Sequence, residues 1–179
     1  MSQQVLDQIV KRFSDSVLST HAHRGDETVV LHRNALVAVV QFLRDDPQMA
    51  FNFCVDITAV DLSAMPDYVG PRFEVVYHFH SLSHKHRIRL KVPLEEADLE
   101  LDSLSHLYGG ANWFEREVWD MFGVRFRNSP DHRRILLYEE FVGHPLRKDY
   151  PQRGYQPLID MPTLPRPDEE LPPLASEDL

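Results

Sequence analysis

Two pairs of histidines stand close together in the sequence, His78 with His80 and His84 with His86. Imidazole nitrogens are common ligands of zinc and iron, so two such pairs on neighbouring strands would form a metal site if all four rings faced one way. The way in which the two strands pair therefore decides whether these histidines can do chemistry.

The pairing that brings the histidines together is unfavourable for the sheet. If His78 lay opposite His86, the apolar side chains of the first strand would share a face with the lysines and arginines of the second. If Phe79 instead lies opposite His84, across a four-residue loop, both strands bury their apolar side chains on one face. A shift of one residue moves every side chain to the other face, so burial favours this second pairing. It sends the first histidine pair to the polar face and the second pair to the other face, and it predicts a polar hairpin tip rather than a metal site.

A second concentration of chemical groups is N-W-F-E-R-E-V-W-D-M-F-G-V, residues 112–124, with three carboxylates, one arginine and four large aromatic residues. In a helix, Glu117 and Asp120 share a side, and two adjacent carboxylates could perform acid–base or metal chemistry. The sequence offers no Glu-x-x-His pair to complete a two-metal site on a helix. We therefore expect the carboxylates to fix neighbouring backbone and basic residues by charge-assisted hydrogen bonds, with Arg116 pairing with Asp120 one turn along.

Basic residues follow this stretch at Arg125, Arg127, Arg133 and Arg134, and again at Arg147. An isolated basic patch would bind an anion. Because this cluster is close in sequence to the acidic one and opposite in sign, we expect it to neutralise those carboxylates or the carboxylates of a partner protein.

Other catalytic signatures are absent from the sequence. It has no G-x-x-x-x-G-K phosphate loop, no G-x-G-x-x-G and no G-x-S-x-G. The single cysteine, Cys54, excludes an internal disulfide, a zinc finger and a four-thiolate iron–sulfur cluster held by this chain alone. Its position in the middle of a predicted strand indicates a small buried hydrophobe rather than a nucleophile.

Length and composition bound the remaining classes. A chain of 179 residues suits one domain with an extension, and a net charge of −9 argues against binding to nucleic acid or to anionic lipid. The mean hydropathy is −0.37, and the absence of a long apolar run excludes a transmembrane helix. The N-terminus lacks the basic start and apolar stretch of a secretory signal, so we expect a cytoplasmic location.

The elements that position these residues follow from hydrophobic periodicity. Helical spacing of apolar residues predicts one helix over about 5–13 and another over 34–44 that stops at Pro47. Predicted strands cover 17–23, 27–32, 52–62, 73–80 and 84–92, the first two as a hairpin that turns at Gly25-Asp26. In the third of these strands, alternation places Phe53 and Val55 on the same face as the apolar residues that follow. The order predicts an α+β fold, with helices packed on one face of a mainly antiparallel or mixed sheet.

A further helix is predicted for the charged and aromatic stretch. Asn112 can cap it, with Glu115 as the capping-box partner, and Gly123 ends it. Residues 1–150 form the predicted domain. Residues 151–179 hold seven of the thirteen prolines and six acidic residues against two arginines, which predicts an extended arm that builds no core of its own.

Three runs of the sequence resemble one known family. They are E-R-E-V-W-D-M-F-G-V-R-F (115–126), P-D-H-R-R-I-L (130–136) and G-H-P-L-R-K-D-Y-P (143–151). They closely resemble the C subunit of bacterial NADH:quinone oxidoreductase, the respiratory complex I family. Related proteins occur in membrane-bound hydrogenases. The family pattern usually carries a basic residue where this chain has Ser129.

The resemblance implies a scaffold subunit that holds no cofactor. It implies a place in the peripheral arm on the cytoplasmic side of the inner membrane, packed against the D subunit and near the B and I subunits. The whole enzyme would pass electrons from NADH through FMN and iron–sulfur clusters to quinone, coupled to proton translocation. The motif residues expected to be structural or to lie at interfaces, and not to be catalytic, are Trp113, Glu115, Arg116, Glu117, Asp120, Arg133, Arg134, His144, Arg147 and Asp149.

Two alternative hypotheses remain at this point. One is an equivalent scaffold in a hydrogenase-type complex. The other is a stand-alone metal enzyme that uses the histidine hairpin.

Overall fold

The computed structural model describes residues 2–154 and 156–159, without the side chains of residues 2–4. In chain order, the helices and strands are α1 (Ser2–Arg12), β1 (Val17–His23), β2 (Asp26–Leu31), α2 (Leu36–Asp45), β3 (Phe53–Asp61), β4 (Phe73–Ser81), β5 (His86–Leu94), β6 (Glu100–Asp102), α3 (Ala111–Phe122) and β7 (Arg125–Arg127). Single 3₁₀ turns lie at Ser14–Ser16, Arg33–Ala35 and Glu96–Asp98.

The first five strands form one sheet in the order β1-β2-β5-β4-β3. All neighbours are antiparallel except β2 and β5, which are parallel, so the sheet is mixed. A separate parallel pair joins β6 to β7. The α+β prediction is confirmed. The β1–β2 hairpin is also confirmed, although its turn residues are Arg24 and Gly25, both with positive φ.

The hydrophobic core lies between the helices and one face of this sheet. The predicted stripe of α2 is buried as expected, and so are the alternating apolar residues of β4 and β5. The opposite face carries polar side chains, among them Thr28, His78 and Arg89, which share one row across β2, β4 and β5.

The pairing of β4 with β5 corrects the predicted register. Phe79 lies opposite Ile88 rather than His84, and the four-residue loop runs from 82 to 85. The predicted faces are nevertheless confirmed, because the shift preserves which side chains point to the core. The loop thus forms two positions further along, and Lys85 in it adopts a left-handed conformation with φ of 55°.

Strand β3 corrects a second prediction. A register shift between Cys54 and Asp56 interrupts the alternation, so Phe53 and Val55 are 47% and 42% exposed while Cys54 is buried. The prediction of Cys54 as a buried hydrophobe is confirmed. Burial raises the pKa of its thiol to about 12, which keeps it protonated at neutral pH.

The start of α3 differs from the prediction, and its end agrees with it. The helix begins at Ala111 after Gly110, so Asn112 lies inside the first turn and forms no capping box with Glu115. Gly123 ends the helix in a left-handed conformation, with φ of 85°, as expected.

From residue 128 to 154 the chain follows an irregular path without further helices or strands. The predicted arm, 151–179, lies largely outside the described residues, since 155 and 160–179 are not among them. Among the helices of the described part, none has the length and apolar character needed to cross a bilayer.

Candidate functional site

The carboxylate of Asp120 lies at the centre of the motif residues. Its side chain is fully buried, and Oδ2 accepts hydrogen bonds from the backbone N–H groups of Ile135, Leu136 and Leu137 at 3.1, 2.9 and 3.1 Å. Burial alone would raise the pKa of Asp120, but these three donors and the guanidinium of Arg134 hold it below its ordinary value. One helical carboxylate thus fixes the backbone of the irregular segment.

Arg134 completes this arrangement from the other side. Its Nη1 donates to Asp120 Oδ1 at 2.6 Å, and its Nη2 donates to the carbonyl oxygens of Phe141 and Gly143 at 2.7 and 3.3 Å. The guanidinium also lies over the rings of Trp119 and Phe141, 5.6 and 5.7 Å from their centroids. It therefore ties two parts of the irregular segment to α3.

Arg116 does not pair with Asp120, as the helical spacing predicted. It reaches away from its own helix and donates to the carbonyl oxygens of Arg133 and Arg134 at 2.9 and 2.8 Å. Asp131 supplies its countercharge at 3.3 Å. The local i, i+4 pair is absent because Asp120 is already saturated by donors from a distant part of the chain.

Glu115 is buried on the inner side of α3. Its Oε1 accepts from the N–H of Leu104 and its Oε2 accepts from the hydroxyl of Ser103, each at 2.6 Å. Burial raises the pKa of Glu115 to about 7, although these two hydrogen bonds oppose the shift. The residue fastens the loop after β6 to the helix.

His144 packs against the C-terminus of α3. Its Nδ1–H donates to the carbonyl oxygen of Asp120 at 3.0 Å, and its ring meets Trp119 edge-on. A Cβ atom on Gly123 would lie 2.8 Å from the ring, so this position requires glycine both for its positive φ and for space.

A second charged cluster holds the next part of the segment. Asp61, at the end of β3, is fully buried in its side chain and accepts from Arg72 at 2.8 Å and from the N–H of Lys148 at 2.8 Å. Arg147 pairs with Glu96 and Asp149. Burial disfavours the charged form of Asp61, but the bonds to Arg72 and the neighbouring N–H groups hold its pKa far below the ordinary value.

The sequence motif contains two of the five charged side chains in this second cluster. Arg147 and Asp149 belong to the motif, whereas Asp61, Arg72 and Glu96 were not singled out. The one signal for Asp61 was a carboxylate at an inward position of an alternating strand, where a buried charge requires partners.

Four of the predicted residues are exposed, and one of them is Asp149, described above as a partner of Arg147. Trp113 is 59% exposed, with the guanidinium of Arg116 5.4 Å from its ring centroid. Arg133 is exposed and pairs with Asp131. Glu117 is exposed and makes no hydrogen bond or ion pair with the described part of the chain.

Ser129, where the family pattern carries a basic residue, has polar neighbours of its own. Its hydroxyl lies 3.1 Å from Asn112 Oδ1 and 3.2 Å from the carbonyl oxygen of Asp131. The segment is thus joined to α3 here by neutral groups.

The carboxylates of Asp120 and Asp61 bind arginines and backbone N–H groups of the same chain. The histidines of the hairpin also do different things: His78 accepts from Arg89 on the polar face, while His84 and His86 contact the carbonyl oxygens of Pro47 and Met49. Within residues 2–154 and 156–159, no three histidine, cysteine or acidic side chains are grouped as a metal would require.

The outward side of the irregular segment is apolar for a surface loop. Leu136, Val142 and Leu146 are 61%, 66% and 49% exposed, and Leu158 is fully exposed. Because the two charged clusters fix this backbone, these side chains are presented at defined positions.

The sequence is similar to those of known proteins. Residues 29–156 match the family described as respiratory-chain NADH dehydrogenase, 30 kDa subunit. The NADH-quinone oxidoreductase C subunit of Citrifermentans bemidjiense is 47% identical over 146 residues, which cover 80% of this chain and 86% of that relative. The protein of the same name from Geobacter sulfurreducens is 45% identical over 147 residues, with the same coverage of both chains.

Two solved structures resemble the fold. A trypsin-resistant fragment of Nqo5, comprising its residues 1–134, superposes with a TM-score of 0.63 at 31% identity and covers 71% of this chain and 98% of the fragment. A chain of an archaeal membrane-bound sulfane sulfur reductase complex has the same TM-score at 19% identity, covering 84% of this chain and 85% of its own, which establishes likeness of fold alone.

Proposed function

Because the chain belongs to the family of the 30 kDa subunit of respiratory-chain NADH dehydrogenase, we propose that it acts as a cofactor-free scaffold within that enzyme. The chain is a peripheral-arm subunit of NADH:quinone oxidoreductase, and it is thereby a component of an oxidoreductase. The proposal concerns what the chain contributes to the assembled enzyme.

The observation that carries the proposal is the saturation of the motif residues by one another. Asp120 and Asp61 each bind an arginine and backbone N–H groups of the irregular segment. Buried carboxylates whose oxygen atoms are already bound by donors are not available for acid–base catalysis. Their hydrogen bonds give the irregular segment a fixed shape. This supports a role in holding other subunits rather than in transferring electrons.

The outward groups of the same region support a protein interface there. Three kinds of outward-facing group lie on α3 and on the segment fixed to it. They are an exposed tryptophan, a carboxylate without a partner among the described residues, and a series of exposed apolar side chains. Tryptophan is enriched among the residues that carry most of the binding energy at interfaces, and apolar side chains around it exclude water.

We infer the specific partners from the resemblance to this family. The scaffold packs mainly against the D subunit and lies near the B and I subunits, on the cytoplasmic side of the inner membrane. The iron–sulfur clusters are held by other subunits, because the one cysteine of this chain is buried and supplies a single thiol. The resemblance to the family implies that FMN is held by another subunit as well. The complete enzyme transfers electrons from NADH to quinone and translocates protons.

Affinity capture of the tagged chain from detergent-solubilised membranes tests the proposal. Mass spectrometry should recover the D, B and I subunits, and the isolated chain should contain neither flavin nor iron. Recovery of a hydrogenase large subunit instead would support the alternative complex. Stoichiometric flavin, cluster or metal in the isolated chain would contradict the proposal.

A further inference from the structure

We propose that the open face of the sheet carries a second docking groove, which binds an acidic segment of another subunit of the enzyme through its carboxylate and an apolar side chain. This inference rests on the proposed function, since it requires the chain to work inside an assembly. The groove has a volume of about 1030 Å³ and crosses β3, β4 and β5 near the hairpin tip.

The groove is remote from the second charged cluster. Phe53 begins β3 at the groove, and Asp61 ends the same strand at the second charged cluster. Eight residues of extended strand separate the two points by roughly 25 Å, at about 3.3 Å per residue. A partner segment bound in the groove therefore makes contacts distinct from those of the irregular segment.

The floor of the groove is held rigid by a row of side chains across three strands. Arg89 Nε donates to His78 Nε2 at 3.0 Å, while its two terminal nitrogens reach Thr28 and Asp26 at 3.3 Å each. Burial lowers the pKa of His78, and the adjacent Arg89 adds to the effect, so this imidazole stays neutral and serves as an acceptor. The guanidinium of Arg89 is thereby occupied within the chain.

The next row offers a cation that is not occupied. Arg87 lies opposite His80 at the rim of the groove, and its guanidinium makes no hydrogen bond or ion pair with any described residue. The ammonium of Lys85 in the hairpin loop is equally free among the described residues. In a chain with a net charge of −9, two such cations beside one groove mark a place for a carboxylate from outside.

The apolar wall of the groove arises from the bulge in β3. The register shift turns Phe53 and Val55 away from the core, so that they are 47% and 42% exposed beside Arg87 and His80. An aromatic and a β-branched side chain next to these cations suit a segment that carries an apolar anchor and a carboxylate close together.

The charges of the face favour such a segment over a nucleic acid. Asp26, Glu27 and Asp56 also line the groove and would repel a continuous row of phosphates. A peptide that places one or two carboxylates at Arg87 and Lys85 avoids these three acidic residues. The occupant is thus a protein segment with isolated acidic residues.

Photo-crosslinking in the intact complex tests the inference. In one preparation a benzophenone side chain replaces Phe53. In a second preparation it replaces Leu136 on the irregular segment, where a cross-link to another subunit tests the proposed function itself. We expect Phe53 to cross-link to a segment of another subunit that contains Asp or Glu. A Leu136 cross-link with none from Phe53, or a Phe53 cross-link to nucleic acid or to a segment without acidic residues, would overturn the inference and leave the proposed function standing. Failure at both positions would count against the proposed function as well.

Charge reversal supplies the second arm. Arg87→Glu should lower the yield of the Phe53 cross-link by about tenfold, because it places a carboxylate against the acidic segment. Lys11→Glu, the same charge change at an exposed cation on α1, is the matched control and should leave the yield unchanged. Equal yields in the two variants would show that the cation of Arg87 does not hold the partner.

Discussion

At the scale of single residues, two buried carboxylates of α3 behave in opposite ways. Asp120 is surrounded by donors and stays ionised, whereas Glu115 has two donors in a more apolar site and titrates near neutral pH. Both side chains therefore stabilise the fold, Asp120 in its ionised form and Glu115 in its protonated form.

Asp120→Asn should destabilise the chain by about 3–5 kcal/mol, since it leaves Arg134 without its buried partner. The amide can serve the backbone donors or the guanidinium, but not both. Because the pKa of Asp120 is depressed, its contribution is present above pH 3.8 and is lost as the pH falls. Urea unfolding at pH 7 and in acid checks this, with the exposed Asp67→Asn as control. Equal unfolding midpoints for the two variants at pH 7 would contradict the role given to Asp120.

Glu115→Gln should gain stability relative to the unsubstituted chain as the pH rises. The raised pKa of Glu115 means that its contribution is complete below the ordinary value of 4.5 and is lost as the pH approaches 7. The amide keeps both hydrogen bonds, accepting from Leu104 and donating to Ser103, without acquiring charge. Between pH 4.5 and 7 the difference in unfolding free energy should move by about 3 kcal/mol in favour of the variant, at about 1.4 kcal/mol per pKa unit. A difference that does not change with pH would refute the assignment.

At the scale of elements, the boundary between α3 and the irregular segment depends on Gly123. Gly123→Ala should cost about 1–2 kcal/mol for the left-handed backbone, with a further cost from the contact with His144. Gly109→Ala, where a Cβ meets open space, should be nearly neutral. Thermal unfolding of both variants, and of Gly123→Ala combined with His144→Ala, separates the two costs. We expect His144→Ala to remove only part of the loss in melting temperature caused by Gly123→Ala. Complete recovery of the melting temperature would show that the backbone strain at residue 123 is negligible.

The sequence predicts the elements better than it predicts their junctions. Burial determines which face of β4 meets the core. Two registers of β4 and β5 that differ by an even number of residues bury the same side chains, so burial alone does not distinguish them. The structure shows the register in which the loop includes Lys85. The bulge at Val55 was missed because alternation continues through it in the sequence.

The site was predicted in part for a similar reason. Helical spacing suggests that Arg116 pairs with Asp120, yet Asp120 binds residues 134–137. That segment has no periodicity from which its path could be deduced, so its contacts with the helix and with Asp61 are visible only in three dimensions.

At the scale of the whole molecule, one end of β3 carries the second charged cluster and the other end carries the groove. Two separated surfaces suit a protein that is held between neighbours in a larger assembly. A scaffold of this kind affects turnover through the amount of enzyme that is assembled.

The most direct test measures assembly and activity together for Glu117→Ala and Arg147→Ala. Glu117 has no partner among the described residues, so its loss should weaken a contact with another subunit. Loss of Arg147 should weaken the attachment of the irregular segment to Glu96. Native gels quantify the assembled oxidoreductase, and NADH:quinone activity is divided by that amount. A scaffold role predicts less assembled enzyme in both variants, with activity per assembled complex retained. Normal assembly with abolished turnover would contradict it.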